Sequence, residues 1–283
     1  AVRILPSATP ISPSDRAFNY GDGVFSTLLV HNQKPQLYSY HLSRLEHDAA
    51  AIKITVDTCA LETAINEQIA AFSNSSNDVS PSKYVLKVHI SGGQAGRGYA
   101  RSEDSVPLVR FSQHPYPAHY GGMAKQGMSL ICAQTRLAIQ PLLAGVKHMN
   151  RLEQVLIKHE VNEAHADDAL VCDTNDNLIE ASAGNVFFYS QGEWYTPSLK
   201  GSGVNGVVRQ CLIDSLLDNN HTLHVGEYQL SHIGNASAVV ITNALMGVMP
   251  VKSVRMPDHS KLEFDVASES VLELSNMLAR ALR

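Results

Sequence analysis

Two segments carry residue types that could do covalent chemistry. In Gly145-Val146-Lys147-His148-Met149-Asn150-Arg151-Leu152-Glu153 a lysine stands at the mouth of a helical pattern, just after the apolar Leu142-Leu143-Ala144. Most lysines are solvated surface residues, but a partly desolvated one can lose its proton and add to a carbonyl as a Schiff base. Further along, Asn177-Leu178-Ile179-Glu180-Ala181-Ser182-Ala183-Gly184-Asn185 sets one carboxylate among apolar positions before a small-residue turn. Burying that glutamate would require a cationic partner. A third segment, Gly201-Ser202-Gly203-Val204-Asn205-Gly206-Val207-Val208-Arg209, leads its glycines into a helical pattern running to Leu217. It reads first as an ordinary glycine-rich turn, with an anion seat on the unpaired N–H groups of the helix start as the alternative.

Other chemistries find less support. Gly92-Gly93-Gln94-Ala95-Gly96-Arg97-Gly98 lacks the G-x-G-x-x-G order and the Lys-Ser or Lys-Thr pair of a P-loop. It reads as a mobile or substrate-facing loop, with Arg97 and Arg101 able to meet an anion. Thirteen histidines include His41 with His47 and His221 with His224, but no carboxylate completes a helical ligand spacing and H-E-x-x-H is missing, so no metal is predicted. A hydrolase elbow, G-x-S-x-G, is also missing.

The elements that must position these residues follow from periodicity. Ser39 to Ala51 and Leu61 to Phe72 have helical spacing, the second through Leu61, Ile65, Ile69 and Phe72. Strands are expected at Tyr84 to Ile90, Val106 to Phe111 and Met128 to Cys132, and again at Ala169 to Asp173, Asn185 to Tyr189, Thr222 to Val225 and Ser237 to Ile241. Helices are expected at Arg151 to Ala164, after Val204, and at Ala267 to Leu282. The prolines and paired glycines of His114 to Gly122 discourage both helix and ladder, which predicts a linker over 114–122 between a small N-terminal α+β domain (1–113) and a larger C-terminal α+β domain (123–283). With three prolines, Ala1 to Pro13 does not read as a short strand and turn, and whether a first strand forms there stays open. The irregular order of elements argues for an α+β fold over a regular βαβ series.

Composition narrows the field. Lys and Arg number 22 against 27 Asp and Glu, for a net charge of −5 with no long run of either sign, so no nucleic-acid footprint is present. No stretch approaches the roughly 18 uninterrupted apolar residues of a membrane span, and the first residues have neither a basic region nor an apolar core of a secretory signal, which makes a cytoplasmic address the expectation. Cys59, Cys132, Cys172 and Cys211 form no C-x-x-C pair and are expected to be free buried thiols.

Taken together, Asp15 to Thr27, His41-Leu42-Ser43-Arg44-Leu45, Lys147 to Gln154, Asp173 to Asn185, Gly203 to Arg209 and Thr242-Asn243-Ala244-Leu245-Met246 resemble the fold-type IV pyridoxal-phosphate enzymes. Within them the likeness leans to the branch that eliminates pyruvate from 4-amino-4-deoxychorismate to leave 4-aminobenzoate. The resemblance implies that Lys147 holds the aldehyde of pyridoxal 5'-phosphate as a Schiff base and acts as the catalytic base. Glu180 would face the pyridine nitrogen, and Arg44 would pair with the phosphate. Val207 and Val208 would add backbone donors, Thr242 and Asn243 a second phosphate-side loop, and Asn185 would complete the cofactor set. Thr27 and Asn243 are placed at the substrate; its two carboxylates need cationic partners, for which Arg97, Arg101 and Lys200 are the candidates, each with a solvated surface charge as the first reading.

The same resemblance implies a barrel-like sheet in the larger domain, a cofactor lying between the domains, and a homodimer. Branched-chain and D-amino-acid aminotransferases share the lysine, glutamate and phosphate set and are the alternative. Branched-chain enzymes usually carry a tyrosine five residues after the lysine, where this chain has Leu152. A relative that binds the cofactor without turnover is the remaining possibility, and the presence of both Lys147 and Glu180 argues against it.

Overall fold

The computed structural model describes residues 2–6, 9–75, 82–95 and 98–282. The chain forms two compact units, Ala1–Tyr116 with Val146–Asn150, and Pro117–Gly145 with Arg151–Arg283. The α+β architecture expected from the irregular order of elements, and implied by the resemblance, is what forms.

In the first unit the elements run β1 (Arg3–Ile4), α1 (Arg16–Tyr20), β2 (Gly23–His31), β3 (Lys34–Pro35), α2 (Tyr38–Ala51), α3 (Thr58–Ser75), β4 (Lys83–Ser91) and β5 (Leu108–Pro115). They make a sheet of order β1-β5-β4-β2-β3. On β2 the buried row is Val24, Ser26, Leu28 and Val30, whose apolar members meet Leu45 and Ala49 of α2 and Leu61, Ile65 and Ile69 of α3 in one core. Each fully buried aliphatic side chain contributes roughly 2 kcal/mol. A slip of one residue would bring Phe25, Thr27 and Leu29 inward instead, so the core sets the register. Residues 146–150 return to this unit: Val146 joins its core, Phe25 N–H donates to the Lys147 carbonyl at 3.0 Å and Met149 N–H to the Gly23 carbonyl at 2.9 Å. The lysine is thereby fixed along the edge of β2.

The loop after β4 is tied down by two arginines that share Asp22. Arg16 Nε donates to Asp22 Oδ2 at 2.7 Å while its Nη atoms donate to the carbonyls of Gly98, Tyr99 and Ala100. Arg101 donates to both Asp22 oxygens and to the carbonyls of Ile52 and Lys53. Burial raises the Asp22 carboxyl, but the bonds and charges of Arg101 and Arg16 outweigh it and hold the group below its ordinary value. The contribution is therefore full above the unfolded carboxylate value and is lost as pH falls through the lower native one. Asp22→Asn is expected to cost about 2 kcal/mol in denaturant unfolding at neutral pH, with the gap to the parent shrinking below about pH 4. A gap that stays constant into acid would show that the charge is not the cause.

The second unit runs α4 (Tyr120–Gln126), β6 (Met128–Cys132), α5 (Leu152–Glu163), β7 (Asp168–Cys172), β8 (Leu178–Ala181), β9 (Asn185–Ser190), β10 (Glu193–Pro197), α6 (Val207–Asp218), β11 (Leu223–Gly226), α7 (Leu230–Ile233), β12 (Ala238–Asn243), β13 (Gly247–Arg255), β14 (Lys261–Glu263) and α8 (Glu269–Ala281). Its sheet has the order β11-β10-β9-β12-β13-β6-β7-β8, with β14 beside β13. The two ends of this order are tied together where Leu178 of β8 donates to the carbonyl of Tyr228, just after β11, at 2.6 Å. That closure gives the sheet its barrel-like curl and encloses a core of Leu170, Leu178, Val186, Phe188, Ile241 and Met249.

Several local expectations change. The segment 114–122 is not free of regular structure: His114 and Pro115 close β5 opposite Val85 and Tyr84, and Gly121 and Gly122 lie inside α4. Tyr120 and Met123, one turn apart, pack on the second core, which offsets the roughly 1 kcal/mol that each glycine costs a helix. A short first strand does form, because Arg3 and Leu5 donate to the carbonyls of Pro107 and Val109 and the prolines fall beyond it. Of the four thiols, all free, Cys172 and Cys211 are buried, Cys132 is half-buried and Cys59 is exposed. Among the described residues no helix is long and apolar enough to cross a membrane, and no group of three or more His, Cys, Asp or Glu could hold a metal.

Candidate active site

In the second unit, three strand ends and one helix start converge. Glu180 lies on β8, fully inside the strand and only 5% exposed. Its Oε2 accepts the Val204 N–H at 2.8 Å and its Oε1 lies 3.5 Å from Gln154 Nε2. The turn that brings Val204 there depends on Gly203, at φ +85°, where an added Cβ would sit 2.6 Å from Ile179 Cγ2 and 3.2 Å from Glu180 Oε2. Glycine is needed for both the left-handed backbone and the close approach. Arg209, also buried, donates to Asn205 Oδ1 at 3.0 Å and to the Pro197 carbonyl at 2.9 Å. Burial pulls it down to about 10, against the opposing charge of Glu180, so the glutamate has the cationic neighbour that its burial requires.

Asn185 opens β9 and pairs with Thr242 of β12. Its Nδ2 donates to the Val204 carbonyl at 2.8 Å and its Oδ1 accepts the Gly206 N–H at 3.1 Å, so the side chain clamps the turn ahead of α6. That helix starts at Val207 with Gly206 as its N-cap and no side-chain cap, leaving the positive end of its dipole for an anion. Thr242 is buried, with Oγ1 3.5 Å from the Asn185 carbonyl. Asn243 is committed locally: Oδ1 accepts the N–H groups of Leu245 and Met246, and Nδ2 donates to the Ala183 carbonyl. Ser202 Oγ, next to the Gly203 turn, and Gln154 Oε1, on the side chain beside Glu180, are buried polar atoms with no hydrogen-bond partner among the described residues.

In the first unit, Lys147 and Arg44 lie with a buried polar group on α2. The buried stripe of α2 is His41, Leu45, Asp48 and Ala49, helical in spacing but polar at two positions. Arg44 Nη2 donates to Ser26 Oγ at 2.7 Å, and Ser26 Oγ lies in hydrogen-bond contact with His41 Nδ1 at 2.6 Å. Burial, Arg44 and Lys147 all hold the protonation of His41 well below the ordinary histidine range. Lys147 Nζ lies 4.6 Å from the centre of the Phe25 ring, and its N–H donates to Asp48 Oδ2 at 2.9 Å. Thr27 is half-buried on the same face of β2 as Phe25.

Of the residues expected from sequence, the second unit brings together Glu180, Asn185, Val207, Val208 and Thr242, and the first brings Lys147 near Arg44. Arg101 does not serve as a cation for an anionic ligand, since its guanidinium is spent on Asp22 and two carbonyls. Lys200 is exposed, and Arg97 lies outside the described residues. Ser26, His41 and Asp48 were not singled out from sequence for these contacts. The signal was present in α2, where helical spacing from Leu45 puts His41 and Asp48 on the buried face.

Comparison with known proteins gives this arrangement a family. The model of the family described as amino-transferase class IV matches residues 23–254. Aminodeoxychorismate lyase of Vibrio harveyi is 33% identical over 264 residues, covering 91% of this chain and 92% of that protein. The crystal structure of 4-amino-4-deoxychorismate lyase from Pseudomonas aeruginosa superposes with a TM-score of 0.87 at 32% identity, covering 96% of both chains. D-alanine aminotransferase of Listeria innocua is more distant, 22% identical over 86% of this chain and 82% of its own length. The chain belongs to the class IV amino-transferase family, which has the fold-type IV architecture.

Proposed function

We propose that the protein is a pyridoxal-phosphate-dependent carbon–oxygen lyase that converts 4-amino-4-deoxychorismate to 4-aminobenzoate and pyruvate in folate biosynthesis, working as a homodimer in the cytoplasm. The likeness to an aminodeoxychorismate lyase over 91% of the chain carries this reading. Leu152, where branched-chain aminotransferases usually have tyrosine, supports the lyase over that alternative.

The residues present suit pyridoxal phosphate. A primary amine is available for its aldehyde, a buried carboxylate for its ring nitrogen, and an uncapped helix start with a guanidinium for its phosphate. The buried and unsatisfied Ser202 Oγ and Gln154 Oε1 add polar capacity beside Glu180. When bound, the cofactor supplies an electron sink for the pair left by a departing proton. Lys147 Nζ holds the cofactor and, as a free amine, takes the proton from C4 of the substrate ring. Glu180 keeps a proton on the pyridine nitrogen. Arg44, the N–H groups of Val207 and Val208, and Thr242 bind the phosphate, while Asn185 fixes the turn that presents the helix start. Thr27, Arg97 and Asn243 meet the substrate.

The deciding experiment gives the purified protein pyridoxal phosphate and follows two reactions in parallel. One is 4-aminobenzoate formation from aminodeoxychorismate, and the other is 2-oxoglutarate-dependent transamination of leucine and D-alanine. Rapid 4-aminobenzoate formation with little transamination is expected. The reverse pattern would move the protein to the aminotransferase branch and leave Lys147, Glu180 and Arg44 in their roles.

A further inference from the structure

We propose that Asp48 is a positioning residue for Lys147, its buried carboxylate fixing the lysine backbone and supplying the negative charge against which the lysine amine is set. The inference rests on the reading of Lys147 as the base and deepens it.

Asp48 projects from α2, is 2% exposed, and accepts the Lys147 N–H at 2.9 Å through Oδ2. Holding one N–H does not require a charge: asparagine or serine would accept the same bond without the several kcal/mol that burying a carboxylate costs. A charge placed there acts on what surrounds it. Arg44 lies one turn earlier on α2, and the fields of Arg44 and Lys147 both reach Asp48. Burial lifts the Asp48 carboxyl above its ordinary value, opposed by the Lys147 backbone N–H and by the charges of Arg44 and Lys147. Across from α2, the Phe25 ring lies 4.6 Å from Lys147 Nζ and stacks on His89 of β4 at 6.0 Å, whose protonation is itself depressed by burial, Lys87 and His114. His41, neutral, feels both Arg44 and Lys147.

The consequence concerns basicity. Arg44 by itself disfavours a second cation on Lys147, and Asp48 offsets that repulsion. The amine thereby keeps a proton affinity closer to the ordinary lysine value than Arg44 by itself would leave it.

The test reads the amine directly. Competitive labelling of the full chain with acetic anhydride across pH, quantified for each lysine by mass spectrometry, measures the Lys147 midpoint without added cofactor. Asp48→Asn keeps an acceptor and removes the charge. It is expected to lower that midpoint by about one pH unit or more while Lys87 and Lys125 stay where they are. In the cofactor-loaded enzyme the acidic limb of the kcat profile should move the same way, with KM unchanged. A folded Asp48→Asn chain with an unmoved Lys147 midpoint overturns the proposal. Should that variant not fold, Asp48→Ser carries the same reading, and failure of both to fold assigns Asp48 a structural role and rejects the proposal. A shifted midpoint in Asp48→Asn beside a cofactor-loaded parent chain that makes no 4-aminobenzoate would keep the Asp48 coupling and remove the lyase reading.

Discussion

Lys147→Ala is expected to lower 4-aminobenzoate formation by at least about 10⁴-fold, the upper range for loss of a general base alone, while the fold survives. Survival follows from what the backbone does at this position. The Lys147 N–H to Asp48 and the Lys147 carbonyl that accepts Phe25 N–H are both retained by alanine. The ammonium over the Phe25 ring, an interaction of about 0.5–2 kcal/mol, is lost. Borohydride reduction followed by denaturation should leave the cofactor mass on the parent chain and none on the variant. Continued 4-aminobenzoate formation by a folded Lys147→Ala chain would sink the mechanism.

Glu180→Gln separates charge from shape. Glutamine can still accept the Val204 N–H and lie beside Gln154, so the turn at Gly203 should persist and the cofactor should load. What disappears is the anion proposed to keep a proton on the ring nitrogen. Losing the equivalent of one pKa unit of that stabilisation slows turnover by about tenfold, and a larger loss slows it further. Arg209 is left without its opposing charge but keeps Asn205 and the Pro197 carbonyl, so a stability loss of about 1–3 kcal/mol accompanies the kinetic effect. Rate and cofactor spectrum are the measurements that count, because stability alone would also fall if Glu180 merely neutralised Arg209. An unchanged rate in a fully loaded variant would remove Glu180 from the role of ring partner.

Much of the candidate site could be read from the chain because its parts are local. Lys147 sits in a compact run from Gly145 to Gln154, and Glu180 stands alone among apolar positions before the turn to Asn185. Val207 and Val208 begin a helix announced by three glycines. Helical periodicity likewise placed α2, α3, α5, α6 and α8 to within a few residues of their observed ends. β2 was harder to see, since its buried row includes Ser26 and its other face, with Phe25, Thr27 and Leu29, is only half exposed. A strand covered on both faces loses the clean alternation that marks one. The residues Ser182 to Gly184 read as a turn from their size, but no local feature announced that Asn243 would bond to the Ala183 carbonyl.

What sequence by itself determined were the elements with their own period or turn chemistry, and a family likeness dense enough to assign Lys147, Glu180 and Arg44 to candidate roles. Tertiary structure decided which polar groups those residues meet. It returned residues 146–150 to the edge of β2, put Asp48 against the Lys147 N–H, and spent Arg101 on Asp22 where an anionic ligand had been expected. It also tied Leu178 to Tyr228 to curl the larger sheet. Each of these joins positions far apart along the chain. Their energies come from burial and from the pairing of charges and backbone groups removed from water, which no window of neighbouring residues encodes.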